Sequence, residues 1–143
     1  MNNMTFAHVA LTCSDMKSTE RFYAKHFGFQ RARVIPIDNG EIVFLKSEKG
    51  DLYLELFPSN EKRPIPAVMK DGPEYPAFRH LAFKVDNVDE YIKDMGDDCH
   101  VTLGPFSFDE VIQGWRTVWL KDPDDRIIEI SQGYVDQKNP PQT

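Results

Sequence analysis

His8-Val-Ala-Leu-Thr12 and His80-Leu-Ala-Phe-Lys84 decide the fold, because one short alternating strand opened by a histidine occurs twice in 143 residues. A helix is expected after each. In the second copy Val88, Tyr91, Ile92 and Met95 recur at helical spacing, with Asn87 and Glu90 suited to an N-cap and its third-position partner and Gly96 to the C-terminus. In the first copy Ser14 or Asp15 can cap, Phe22, Tyr23 and Phe27 form the apolar side, and Gly28 closes the helix. Three short strands then follow in each half, punctuated in the first by the turn sequences Asp38-Asn39-Gly40 and Lys49-Gly50-Asp51. Each half also sets a carboxylate inside its last apolar strand, Tyr53-Leu-Glu-Leu-Phe57 and Ile127-Ile-Glu-Ile-Ser131. The histidines lie 72 residues apart (8 to 80) and the glutamates 74 (55 to 129), so duplication of one βαβββ unit is the simplest explanation.

The expected organisation is a single α+β domain over 1–143. Module 1 covers about 6–57, a proline- and charge-rich connector 58–79, module 2 about 80–132, and a polar tail 133–143 is expected to fray. A net charge of −6 and a pI near 5.2 argue against nucleic acid or an anionic membrane as partner and leave a small molecule as the default. Cys13 and Cys99 have no CxxC spacing, so neither a disulfide framework nor a thiolate zinc site is expected, and a reducing cytoplasm fits. No signal-like or membrane-spanning stretch stands out.

Alternation assigns the faces. His8 shares a face with Ala10 and Thr12, opposite Val9, Leu11 and Cys13, and His80 shares one with Ala82 and Lys84, opposite Leu81, Phe83 and Val85. Glu55 sits opposite Leu54 and Leu56, and Glu129 opposite Ile128 and Ile130. All four polar groups therefore avoid the core. Two imidazoles and two carboxylates make a set suited to one divalent ion, zinc, nickel, cobalt, manganese or iron, with two positions left for oxygen ligands. The alternative is a metal-free relic of such a site. His26 and His100, off the ligand-face strands, are assigned to the surface.

At these residues the chain resembles the vicinal oxygen chelate superfamily, which includes glyoxalase I, extradiol dioxygenases and fosfomycin and bleomycin resistance proteins. The likeness runs from about Phe6 to Gln132 and rests on the His8 strand with Asp15, Phe22-Tyr23 and Phe27-Gly28-Phe29, on Leu54-Glu55-Leu56, on His80-Leu-Ala-Phe83 with Asp89, and on Asp122-Pro-Asp-Asp-Arg-Ile-Ile-Glu129. Where Asp125 stands the family usually has glycine, at a turn position needing positive φ. The resemblance implies curved half-barrel sheets around a metal held by His8, Glu55, His80 and Glu129, closest to the glyoxalase I pattern. It further implies Glu129 as proton-transferring base with Glu55 its counterpart, and Thr117 and Trp119 in the substrate wall. Small members commonly form homodimers, so a homodimer is expected in which His8 and Glu55 of one chain share a metal with His80 and Glu129 of another; the alternative is a monomer that closes its own site. Glutathione-dependent glyoxalases carry an arginine and an asparagine where this chain has Thr12 and Ser59, with Asn60 one position off. A glyoxalase-like lyase or isomerase is thus expected. The competing classes are an iron dioxygenase using His8, His80 and Glu129, and a protein that only sequesters its ligand. Arg79, Lys84, Arg116 and Lys121 are cations able to meet an anionic ligand, while Phe106, Phe108 and Trp115 line a cleft or fill a loop.

Overall fold

A computed structural model describes residues 3–72 and 74–143. The chain divides into two compact units, Met1–Pro66 and Ala67–Thr143, so the boundary falls inside the connector. Unit 1 runs β1 (Val9–Cys13), α1 (Met16–Phe27), β2 (Phe29–Ile37), β3 (Gly40–Ser47) and β4 (Tyr53–Pro58). Unit 2 runs β5 (Leu81–Lys84), α2 (Val88–Met95), a single 3-10 turn (Gly96–Asp98), β6 (His100–Ser107), β7 (Arg116–Lys121) and β8 (Ile127–Gln132). The two sheets repeat one topology, β1-β4-β3-β2 and β5-β8-β7-β6, with the first pair parallel and the others antiparallel. The expected α+β class with tandem βαβββ modules is what the chain adopts. Each is an open four-stranded mixed sheet; neither closes into a barrel.

The helices start and stop where local chemistry dictates. Asp15 caps α1, accepting from the backbone N–H groups of Lys17 and Ser18 at 2.9 and 3.1 Å, which would otherwise be orphan donors. Gly28 ends it in the left-handed conformation at φ 67°, where a side chain would be strained. Asn87 caps α2 by accepting from Glu90 N–H at 3.0 Å. The next orphan donor, Val88 N–H, goes to the Gln132 side chain at 2.6 Å, which ties the helix start to the end of β8.

Alternation holds in both sheets. In unit 1 Leu11, Cys13, Val43, Leu45, Leu54 and Leu56 are buried with Phe22 and Tyr23 of α1, whereas Ala10 and Thr12 are exposed. In unit 2 Val118, Leu120, Ile128 and Ile130 are buried with Val88 and Met95. Burying a large aliphatic side chain is worth about 1.5 to 3 kcal/mol, so a one-residue slip of β4 or β8 would cost several such terms. Register therefore fixes which residues face away from each core. Ala10 pairs with Glu55, and Ala82 with Glu129, at equivalent ladder positions.

Three details differ from the sequence expectation. Both strands begin one residue after their histidines, because the parallel ladders open at Val9 with Leu54 and at Leu81 with Ile128. His26 is half-buried, edge-on to Phe22 at 5.2 Å, since α1 carries it one turn beyond that ring. The chain past Gln132 starts packed: Gly133 lies so close to the Gly114 backbone that a Cβ would sit 2.2 Å from its carbonyl oxygen, and Tyr134 meets Trp115 at 6.0 Å.

Candidate metal centre

The strand before each carboxylate strand determines what stands beside it. The turn into β8 is built by Asp122, whose buried carboxylate accepts from the N–H groups of Asp124 and Arg126, both at 2.9 Å, and from the Arg126 guanidinium at 2.7 Å. This cage holds Asp125 at φ 62°, the positive-φ position expected of the Asp122–Arg126 turn. Glu129 then enters β8 opposite Trp119, as Glu55 in β4 stands opposite Phe44.

The four sequence-derived ligands are brought together as two pairs, one in each unit. His8 Nε2 lies 3.0 Å from Glu55 Oε2, and His80 Nε2 lies 2.9 Å from Glu129 Oε2. Within either unit, no group of three or more His, Cys, Asp or Glu among the described residues is arranged to hold a metal. The pair geometry nevertheless fits a divalent ion. Two donors each bound at about 2.0 to 2.2 Å and at right angles lie about 3 Å apart, the separation both pairs show. An imidazole nitrogen beside a carboxylate oxygen also matches the ligand chemistry of borderline divalent metals.

The surroundings of the two pairs differ. The His8 ring touches Phe44 edge-on at 5.7 Å. His80 is less exposed and is gripped on its other nitrogen, with Nδ1 2.7 Å from Asp71 Oδ1. Asp71 is buried, and its second oxygen is paired with Arg79. Burial pushes the Glu129 carboxyl above its ordinary value, while His80 and Trp119 pull in the opposite direction. Among the described residues the buried Trp119 indole N–H meets no acceptor at proper hydrogen-bond geometry, yet it lies near enough to Glu129 to favour the ionised carboxylate. Phe106 flanks that indole at 6.4 Å.

Other sequence-derived residues are already engaged. Thr117 is fully buried and its hydroxyl meets Ser131 Oγ at 3.0 Å, while Trp115 donates to the same oxygen at 3.2 Å and stacks near Phe108 at 4.9 Å. Arg116 forms a two-pronged contact with Asp89 at 2.8 and 2.9 Å, Arg79 is held by Asp71, and Lys121 lies 3.3 Å from Asp125. Lys84 alone of the four expected cations has no carboxylate partner among the described residues. Asn60 is held by Asn39 at the β2–β3 turn. Asp71 escaped sequence reasoning because it sits in an aperiodic connector, and the only hint was a carboxylate nine residues before His80.

Comparison with known proteins follows the same outline. The family model for the glyoxalase/bleomycin resistance protein/dioxygenase superfamily matches residues 5–130. The uncharacterized protein YwkD of Bacillus subtilis (strain 168) is 28% identical over 124 residues, 86% of this chain and 92% of its own. Lactoylglutathione lyase from Agrobacterium tumefaciens superposes with a TM-score of 0.58 at 24% identity, covering 93% of this chain and 96% of that one. The fosfomycin resistance protein FosX from Listeria monocytogenes, solved with Mn(II) and a sulfate ion, superposes with a TM-score of 0.61 at 17% identity, covering 94% and 96%. At these identities the two structures establish the shared fold. Among the described residues no helix is long and apolar enough to cross a membrane.

Proposed function

Because this chain belongs to the glyoxalase/bleomycin resistance protein/dioxygenase superfamily, we propose that it is a divalent-metal-dependent lyase or isomerase that moves a proton next to a carbonyl of a small molecule. One observation carries the reading: both modules present a histidine Nε2 and a glutamate oxygen about one cis-ligand distance apart, at 3.0 and 2.9 Å. A carboxylate in module 1 favours this class over a dioxygenase, which needs only His8, His80 and Glu129. FosX, with Mn(II), supplies the precedent for a divalent ion in this fold.

In this proposal His8, Glu55, His80 and Glu129 hold one ion, of zinc, nickel, cobalt, manganese or iron. When bound, it supplies Lewis-acid polarisation of the substrate oxygens. Glu129 takes a proton from the carbon beside the carbonyl and returns it to the neighbouring carbon, so no net proton is consumed. Burial raises its proton affinity above that of an ordinary carboxylate, the direction that favours a base. Glu55 is its counterpart across the site. Trp119 packs against substrate and offers its unpaired N–H to a substrate oxygen. Thr117, buried beneath it, supports that wall through Ser131. The active form is a homodimer in which His8 and Glu55 of one chain share an ion with His80 and Glu129 of the other.

The test is metal analysis of purified protein together with turnover of methylglyoxal adducts of several thiols. A bound divalent ion with lyase turnover on at least one adduct is expected. The glutathione adduct should be a poor substrate, since Thr12 cannot replace a cation's grip on a carboxylate. Oxygen uptake on catechols would favour the dioxygenase, and tight ligand binding without turnover a sequestering protein.

A further inference from the structure

The two histidines differ in what holds their second nitrogen. His8 has no second carboxylate among the described residues, whereas His80 Nδ1 meets a carboxylate delivered from the connector at 2.7 Å. We propose that Asp71 is a positioning residue for the metal centre, accepting a hydrogen bond from His80 Nδ1–H so that Nε2 presents its lone pair beside Glu129. The inference rests on the reading of His80 as a ligand.

The chemistry is that of an imidazole with two inequivalent edges. Turning the ring by half a revolution about its bond to Cβ exchanges each nitrogen for a carbon, and in the neutral ring the proton can sit on either nitrogen. Only one orientation and one tautomer put a lone pair on Nε2 in the right place. A carboxylate on Nδ1 selects both, which is the outer partner that metal-ligating histidines ordinarily have. Asp71 is suited to the task because it cannot turn away. Its carboxylate is 5% exposed and its other oxygen is held by Arg79. A buried carboxylate costs free energy unless it is paired, and a connector loop has no packing need for one. Two cooperating partners at this position are better explained by a demand from His80 than by folding alone.

This gives the connector a role beyond joining two modules. Asp71 lies in unit 2 ahead of the first strand of its sheet, and the ligand it serves stands at the entrance to that strand. The placement of Asp71 and Arg79 would then set the orientation of one metal ligand.

The experiment uses the full chain and Asp71→Asn, which keeps the side-chain shape while removing the charge. In metal-free ¹⁵N-labelled wild-type protein, the His80 Nδ1–H resonance is expected to be protected from solvent exchange, and that of His8 is not. In Asp71→Asn, whose amide oxygen still accepts but carries no charge, the protection should weaken, and affinity for Zn²⁺, measured by competition with a chromophoric chelator, should fall by about 10- to 100-fold. An unprotected His80 Nδ1–H in the wild type, or zinc affinity in Asp71→Asn within twofold of wild type, would overturn the proposal. If Asp71→Asn fails to fold, the wild-type resonance alone decides. Should the wild type bind none of Zn²⁺, Ni²⁺, Co²⁺, Mn²⁺ and Fe²⁺, the proposed metal site fails, while the exchange measurement still judges the role of Asp71.

Discussion

The two modules share a topology, a register and a His–Glu pair, yet module 2 invests much more structure in its pair than module 1 does. Glu55 faces the hydrocarbon ring of Phe44, whereas Glu129 faces the buried N–H-bearing indole of Trp119, and of the two histidines only His80 has a buried carboxylate behind it among the described residues. The turns differ too. β3 and β4 are joined through exposed residues around Gly50, with open space about its α-carbon, while β7 and β8 are joined by the buried Asp122 cage. The two copies thus keep one backbone plan and one His–Glu pair, and they differ in the groups that hold those side chains still. Preorganisation is concentrated beside the residue proposed to move the proton.

That contrast predicts unequal responses to equal substitutions. The largest expected effect is from Glu129→Gln, which should lower kcat by about 10² to 10⁴-fold, as loss of a general base does, and also weaken metal binding. Glu55→Gln, which removes a ligand but not the base, should cost more in metal affinity than in turnover by the metal-saturated enzyme. Steady-state kinetics at saturating metal separate the two, and equal losses in kcat would erase the proposed difference in roles.

Next comes the turn. Asp122→Ala removes three hydrogen-bonding contacts from a buried position and should destabilise the protein by about 3 kcal/mol. Gly50→Ala, exposed at φ 102°, should cost about 1 kcal/mol. Urea unfolding measures both, and comparable losses would mean that the cage is not the stronger turn.

The smallest expected effect tests the aromatic partners. Trp119→Phe gives module 2 the apolar partner that module 1 has, and losing one substrate-directed hydrogen bond should change kcat/KM by about 3- to 10-fold. Phe44→Leu, which removes an edge contact to His8 but no donor, should change it less. A reversed order would assign the substrate wall to module 1.

How far the sequence disclosed this depends on whether a residue belongs to a periodic element. Leu54, Glu55 and Leu56, or Ile128, Glu129 and Ile130, announce their faces by alternation alone, and Asn87 and Gly96 announce the ends of α2 by their chemistry. The positive φ of Asp125 was legible too, because the residues around it form a turn of known requirements. Asp71 was not, since a loop carboxylate has no period and its partner lies nine residues on. The burial of Thr117 was equally hidden: its strand position gives the face correctly, but its hydroxyl is engaged by Ser131, which also accepts from the Trp115 indole.

The central claim is that both pairs serve one ion. It is tested most directly by elemental analysis of protein reconstituted in turn with Zn²⁺, Ni²⁺, Co²⁺, Mn²⁺ and Fe²⁺ and then freed of loose metal, comparing wild type with His8→Ala and His80→Ala. The expected result is about one tightly held ion per chain for at least one metal, lost in either variant although the two histidines belong to different modules. Retention of that ion by one variant, or no tight binding of any of the five metals by the wild type, would contradict it.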